Sequence, residues 1–199
     1  MKNLFIVFDG LDGSGKGEMI KRLEKYFIDK KFKVLVTREP TDGDYGKEIK
    51  RVLREEKDPL VSAEKCLIFF VKDREDHLTN DILPFLEKGT VICDRYYYST
   101  LAFQHTQGID MEKVVFQNMN FRTPDITFIL DLPAEIALER VAKRGKEKEK
   151  FEKLEFMKQL RLNFLQLKEE LEDNIRIIDA SKSKEEVFEQ IKKEIDKLL

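Results

Sequence analysis

The stretch "GLDGSGKGEM", residues 10–19, differs at one position from a phosphate-binding loop. Such a loop reads G-x-x-x-x-G-K-[ST]: its backbone N–H groups surround phosphate oxygens, its Lys reaches the outer phosphates, and its last hydroxyl serves Mg²⁺. Gly10, Gly15 and Lys16 stand at the required spacing, but position 17 is Gly and position 18 is Glu. The context fits as well. "LFIVF" (4–8) is a short apolar run ending in Asp-Gly and reads as a buried strand; after Lys16, the apolar residues Met19, Ile20, Leu23, Tyr26 and Phe27 recur at helical spacing. A strand, a Gly-rich turn and a helix together aim the helix N-terminus at an anion. Gly10, Leu11, Asp12, Gly13, Ser14, Gly15, Lys16, Gly17 and Glu18 are therefore the expected nucleotide-binding residues, with Lys16 on the β- and γ-phosphates. Gly17 brings no hydroxyl. Glu18 either serves a metal in its place, directly or through water, or is a helix-start residue pointing to solvent; the sequence leaves both readings open.

The same alternation continues along the chain. "KVLVT" (33–37), "TVIC" (90–93), "DITFILDL" (125–132) and "IRIID" (175–179) read as further strands. Helical spacing predicts helices over about 46–55, over about 62–86 with an interruption near Pro84, and over about 184–198, the last with Val187, Phe188, Ile191, Ile195 and Leu198 on one face. Strands with few polar positions need cover on both faces. The predicted fold is therefore α/β, a five-stranded parallel sheet with helices on each side, in one domain over 1–199. The mixed-charge run "ERVAKRGKEKEKFEKLE" (139–155) reads as a solvated helix face with a turn at Gly145.

Composition narrows the partners. Among 199 residues, 37 basic and 39 acidic side chains nearly cancel, which gives no general argument for nucleic acid or a membrane surface. Cys66 and Cys93 lie alone in apolar contexts, as expected of buried thiols in a reducing compartment. The apolar N-terminal run turns to Asp-Gly within a few residues, too short for a signal peptide or a span, so a cytoplasmic protein is expected. His77 and His105 have no metal partners in view and read as ordinary polar residues.

A second anchor follows the third strand. "CDRYYYSTLAFQ" (93–104) puts Asp94 and Arg95 at a strand's carboxyl end, where ligands sit in open α/β sheets. Asp94 there suits Mg²⁺ or its waters, and Arg95 a phosphate gripped bidentately.

Taken together, "FDGLDGSGK", "TREP", "FFVKDR", "DRYYYSTLAFQ" and "RVAKRG…EKFE" resemble the thymidylate kinases, phosphate-loop nucleoside-monophosphate kinases, over essentially the whole chain; "EPTDGDYGK" is similar to an archaeal variant. The resemblance implies transfer of the γ-phosphoryl of ATP to dTMP with Mg²⁺ as cofactor, and a homodimer whose candidate contact faces include 66–70 and 114–119. A kinase of broader or shifted base preference, and a catalytically weak nucleotide-binding homologue, are the alternatives. The resemblance also assigns residues. Asp12 accepts the sugar 3′-hydroxyl, and Arg38 and Arg95 hold the acceptor phosphate. Phe70 stacks on thymine, and Arg74 donates to a thymine carbonyl. Gln104 meets the base edge, with Ser99 and Thr100 beside it. Phe103 stands in place of the usual Tyr beneath the sugar. Glu39-Pro40 matches a position where a cis peptide is common. Lid cations over 140–153 act on the transferring group: Arg140, Arg144 (also the one expected over adenine) and Lys150, with Arg161 behind them. Asp94 and, through water, Asp9 are the expected metal-holding carboxylates, with Glu18 as a further candidate.

Overall fold

The computed structural model describes residues 2–143 and 150–199, with the side chains of 150–153 outside that description. Five strands, β1 (Phe5–Gly10), β2 (Val34–Arg38), β3 (Thr90–Asp94), β4 (Ile126–Asp131) and β5 (Ile175–Asp179), form one sheet in the order β2-β3-β1-β4-β5. Every pairing is parallel. All six residues of β1 are buried, as an apolar run covered on both faces should be, whereas the edge strand β2 is only partly covered. The order has a functional consequence. From β1 the chain goes out to β2, returns to β3 beside β1, then crosses to β4 on the other side. That reversal opens a crevice at the carboxyl ends of the central strands. The register brings three site segments to it: Phe8 pairs with Asp94, Arg38 with Asp94, and Gly10 with Leu130.

Helices α1 (Lys16–Asp29), α2 (Asp44–Glu55), α3 (Pro59–His77), α4 (Leu83–Leu86), α5 (Tyr97–Thr106), α6 (Met111–Asn118), α7 (Ala134–Ala142), α8 (Lys150–Glu170) and α9 (Lys184–Asp196) cover the sheet. Helix α1 buries Met19, Ile20, Leu23 and Phe27, the face that its spacing predicts. Helix α9 starts on a capping box in which Ser183 and Glu186 satisfy each other's backbone N–H, and it buries Val187, Ile191 and Ile195. Asp58 caps α3 by accepting from the N–H groups of Leu60 and Val61.

The single helix expected over 62–86 is divided. A π-helical turn, Leu78–Ile82, separates α3 from α4, and Leu83 N–H reaches back five residues to Leu78 O. Pro84 explains the break: it has no N–H to donate, and its ring excludes the carbonyl four residues earlier, so the preceding turn widens. The charged run 139–155 is divided between the end of α7 and the start of α8; the turn expected at Gly145 lies outside the described residues. Cys66 and Cys93 are free thiols and buried. Among the described residues no helix is long and apolar enough to cross a membrane.

The β2–α2 loop is held against α3. Thr41 donates to Asp73 from both its backbone N (2.8 Å) and its Oγ1 (2.6 Å). The first turn of α2 passes so close to this loop that a Cβ on Gly46 would collide with the Thr41 carbonyl. Gly46→Ala should add up to about 1 kcal/mol of helix propensity. The backbone clash opposes that at about 1–3 kcal/mol and should win. The expected outcome is a thermal unfolding midpoint several degrees lower than the parent's.

Candidate active site

The loop between β1 and α1 is shaped by its glycines. Gly10, Gly13 and Gly15 have φ of 123°, 86° and 100°. At Gly13 the need is also steric, since a Cβ would lie 2.6 Å from the Ala137 carbonyl of α7. Gly15 begins α1 with no side chain capping it, so the helix's first amides face the loop. Lys16 folds back over the loop and donates to Gly10 O (3.0 Å) and Leu11 O (3.1 Å). Burial, and after it the Arg95 charge, pulls the Lys16 ammonium down to about 8. Ser14 Oγ is buried and has no partner among the described residues.

Asp9, the next-to-last residue of β1, organises what surrounds this loop. Its Oδ1 accepts from Gly10 N (2.9 Å), Ser99 Oγ (2.6 Å) and Arg95 Nη1 (3.4 Å). Its Oδ2 accepts from Ser99 N (2.9 Å) and Tyr96 N (3.3 Å). Helix α5 has no cap of its own at Tyr96, so Asp9 supplies one from the neighbouring strand. Burial pushes the Asp9 carboxyl up, against the lowering effect of Arg95, Ser99 and Lys16. Five donors thus converge on the two oxygens of Asp9, the carboxylate expected to meet a metal through water.

Arg95 follows β3 with φ of 70°, a left-handed backbone rare for a residue with a side chain. That conformation turns the guanidinium back over the loop. There it meets Asp12 Oδ1 (2.6 Å), Ser99 Oγ (2.7 Å) and Gly10 O (3.4 Å), and lies 5.6 Å above the Phe103 ring. Asp94 lies beside it, and its Oδ1 is buried without a partner among the described residues.

Two cavities flank this centre. One, of about 380 Å³, is lined by Asp12, Phe70, Arg74, Arg95, Phe103 and Gln104, with Glu39, Thr100 and Phe156 among its other walls. It brings together most of the residues that the sequence assigns to the acceptor. Arg74 is fully buried and donates to Glu39 Oε2 from Nε (3.0 Å) and Nη2 (2.7 Å), to Thr100 Oγ1 (3.0 Å), and from Nη1 to Asn118 Oδ1. Its guanidinium carbon lies 5.0 Å from the Tyr96 ring centre and 5.5 Å from that of Phe121. Four of five N–H groups are thus used, which leaves one on Nη1 without a partner among the described residues. Gln104 donates to Ala63 O and Gln107 Oε1, while its own Oε1 is buried and unpartnered among the described residues.

The other cavity, of about 790 Å³, is lined by Gly17, Lys21, Thr37, Arg38, His77 and Asp94, among others. Arg38 belongs here rather than beside Arg95. Its side chain is 62% exposed and pairs with Asp42 at 3.1 Å, so the structure does not bring the two expected phosphate arginines together. Gly17 faces open space: a Cβ there would meet nothing within 4 Å. Glu18 points elsewhere, pairing with Arg22 (2.9 Å) and Lys184 (3.7 Å), and Arg22 continues to Glu185 of α9. The Arg22 hydrogen bond holds the Glu18 carboxyl below its usual range. Glu18, the further metal candidate, here belongs to an ion network joining α1 to α9.

On the α7 side, Arg140 Nη1 donates to Gly13 O at 3.4 Å. Arg161 forms a two-oxygen fork with Asp131 at the end of β4 (2.6 and 2.8 Å), tying α8 to the sheet. Arg144 and the Lys150 side chain lie outside the described residues. Sequence reasoning missed Glu39, Asn118, Phe121 and Phe156. Only Glu39 carried a signal, its place in "TREP"; the others come from distant helices and loops with no local pattern. The Glu39-Pro40 peptide is cis.

Comparison with known proteins gives one answer. The sequence model described as thymidylate kinase matches residues 8–191. A protein of Pyrococcus horikoshii named probable thymidylate kinase is 39% identical, covering 96% of this chain and 95% of the relative. One of Archaeoglobus fulgidus with the same name is 40% identical over 98% and 96%. One of Carboxydothermus hydrogenoformans named thymidylate kinase is 37% identical over 96% of each. With its five-stranded parallel sheet and a phosphate loop at the sheet's crevice, this chain belongs to the thymidylate kinase family.

Proposed function

We propose that the chain transfers the γ-phosphoryl group of ATP to the phosphate of dTMP, giving dTDP and ADP. One observation carries the thymine assignment. The smaller cavity presents an unpartnered acceptor, Gln104 Oε1, and a remaining donor, Arg74 Nη1–H, along with the Phe70 and Phe103 rings. Thymine shows a matching edge, an N3–H donor beside an O4 acceptor, whereas cytosine has both groups reversed. Asp12, which Arg95 holds at 2.6 Å, would accept from the sugar 3′-hydroxyl, and Arg95, aimed across the loop, would hold the acceptor phosphate. Phe103 packs against Phe156 and Phe164 and keeps the sugar side apolar.

The acceptor phosphate is ionised at neutral pH, so no strong base is needed, and the work is positioning and charge stabilisation. Lys16 and the loop amides hold the donor phosphates. Arg38 swings from Asp42 to the acceptor. Arg140, Arg144 and Lys150, on a lid over 140–153 of a single kinase domain, supply further positive charge and exclude water. The residues also fit Mg²⁺. Among the described residues no three His, Cys, Asp or Glu side chains gather into a metal cage. Asp94, with its buried free oxygen on the cavity that Gly17 opens, would hold the ion through water, as suits a cation that keeps most of its hydration. When bound, it neutralises phosphate charge. A homodimer in the cytoplasm completes this reading. Phe116 (74% exposed) on α6 and Met119 just after it, with Leu60, Val61 and Ile68 on α3, offer a second copy an apolar face. Cys66, Leu67 and Val114, within the two segments first considered, are core instead.

The direct test is ADP formation with dTMP, dUMP, dGMP and the ribonucleotide of thymine. A clear preference for dTMP is expected, and equal rates across the panel would remove the roles of Phe70, Arg74 and Gln104.

The lowered Lys16 value gives a pH dependence. An anionic ligand favours the charged ammonium, so ATP binding raises the Lys16 value and takes up a proton near its free value of about 8. ATP affinity should hold near pH 7 and weaken as pH rises through 8 to 9. Calorimetric titrations in buffers of different ionisation heat should register the proton.

Gly17→Thr has room for its hydroxyl beside Asp94, and should lower the Mg²⁺ concentration needed for half-maximal rate by severalfold. Glu18→Gln should leave that concentration unchanged and slightly lower thermal stability. A shift in Mg²⁺ requirement with Glu18→Gln would restore Glu18 to the metal site.

A further inference from the structure

We infer that His77 is a positioning residue for base recognition. Together with Thr37 it fixes Glu39, so that Glu39 keeps the Arg74 guanidinium turned with one N–H into the substrate cavity. The inference rests on the thymine reading of that cavity.

His77 is the last residue of α3, one turn after Arg74, and its side chain is as buried as that of Arg74. Its Nδ1 lies 3.2 Å from Glu39 Oε1 and its Nε2 lies 2.7 Å from Thr37 Oγ1. The directions follow from what each group can do. A carboxylate only accepts, so Nδ1 carries the hydrogen and gives it to Glu39, while Nε2 pairs with the Thr37 hydroxyl, which can donate or accept. The chain of contacts runs from the larger cavity, lined by Thr37 and His77, through the wall to the smaller one, lined by Glu39 and Arg74.

The form of the Arg74–Glu39 contact shows what His77 does. An arginine beside a carboxylate prefers a fork, two parallel bonds to two oxygens. Here Arg74 places both Nε and Nη2 on the same oxygen, Oε2, and His77 takes Oε1. Without His77, Oε1 has no donor in a buried place. The carboxylate would turn to give Arg74 both oxygens, and the guanidinium would turn with it. Nη1, which carries the N–H left for the ligand, would move off its line to the cavity. Asn118 and Thr100 hold the other Arg74 hydrogens, and Tyr96 and Phe121 hold its faces, so the change is a rotation within a packed slot.

The experiment uses the full chain with dTMP and with 5-methyl-dCMP, which differs from dTMP in the 4-position group and its edge. His77→Leu should raise KM for dTMP about tenfold, with kcat falling much less, and reduce the dTMP to 5-methyl-dCMP ratio of kcat/KM about tenfold, the scale of one charge-assisted hydrogen bond. His77→Asn can place an amide N–H where Nδ1 stood and should keep most of the ratio. His77→Gln reaches the Nε2 position instead and should lose it. If His77→Leu does not fold, as read by its thermal melt, the Asn and Gln pair decides. A folded His77→Leu with the parent's ratio, or Asn and Gln variants that lower the ratio equally, overturns the inference while the parent still prefers dTMP. A parent with no such preference overturns the thymine reading and this inference with it.

Discussion

Asp9 sits at the end of the central strand with no exposed surface, and five hydrogen bonds from three segments converge on its two oxygens. Taking a carboxylate out of water costs several kcal/mol, and only a nearly complete set of donors offsets that. The donors are what give the site its shape. One is the first amide of the phosphate loop. Two are amides, and one the Ser99 hydroxyl, of the α5 N-terminus, which has no cap of its own. One is the Arg95 guanidinium. Any shift of the loop relative to α5, or of Arg95 relative to either, would leave a buried charge short of a partner. The left-handed backbone at Arg95 is tolerable in that setting, because the conformation that costs energy locally is the one that completes the Asp9 shell.

The layout of the sheet was legible in the sequence because the strands are buried on both faces and read as plain apolar runs; the 175–179 run coincides with β5. The phosphate loop was legible because its glycines and Lys16 answer to backbone geometry within a few residues. Glu18 stayed open between two readings for a related reason. Adjacency along the chain suggests adjacency to the phosphates, but each helical residue turns about a quarter of a circle, so Glu18 points at α9 while Gly17 faces the cavity. Phe156 could not be foreseen, since it reaches Phe103 from α8 just past the charged run, with no local signal of that partner. The split at the π-turn was half legible: Pro84 marks a break, but its sequence does not say that the break is an added residue in the turn before it.

Charge is partitioned between the two cavities in a way that suits their tasks. In the wall of the smaller one, Arg74 is paired with Glu39 and Arg95 with Asp9 and Asp12, so a base bound as proposed would meet one donor and one acceptor held in place. A base is neutral, and a net charge facing it would reward any polar ligand. The larger one, by contrast, has Arg38, Lys21 and several carboxylates, including Asp94, around a space open to solvent. A phosphate with its cation and waters can be accommodated there without a fitted shape.

The two expected phosphate arginines differ most in freedom. Arg95 is 17% exposed and held in place by Asp9, Asp12, Ser99 and the Gly10 carbonyl. Arg38 is exposed and paired with Asp42, which Lys50 also holds at 2.6 Å. A solvated pair of that kind is weak and screened by salt. In the proposed reaction, a doubly charged acceptor phosphate would compete against one carboxylate that already has a second cation. Asp42 loses little when Arg38 leaves, because Lys50 remains. In the proposed reaction, Arg95 would therefore define where the acceptor phosphate sits, while Arg38 would respond to its presence. The β2 register, which sets the Arg38 backbone directly beside Asp94, keeps the return path short.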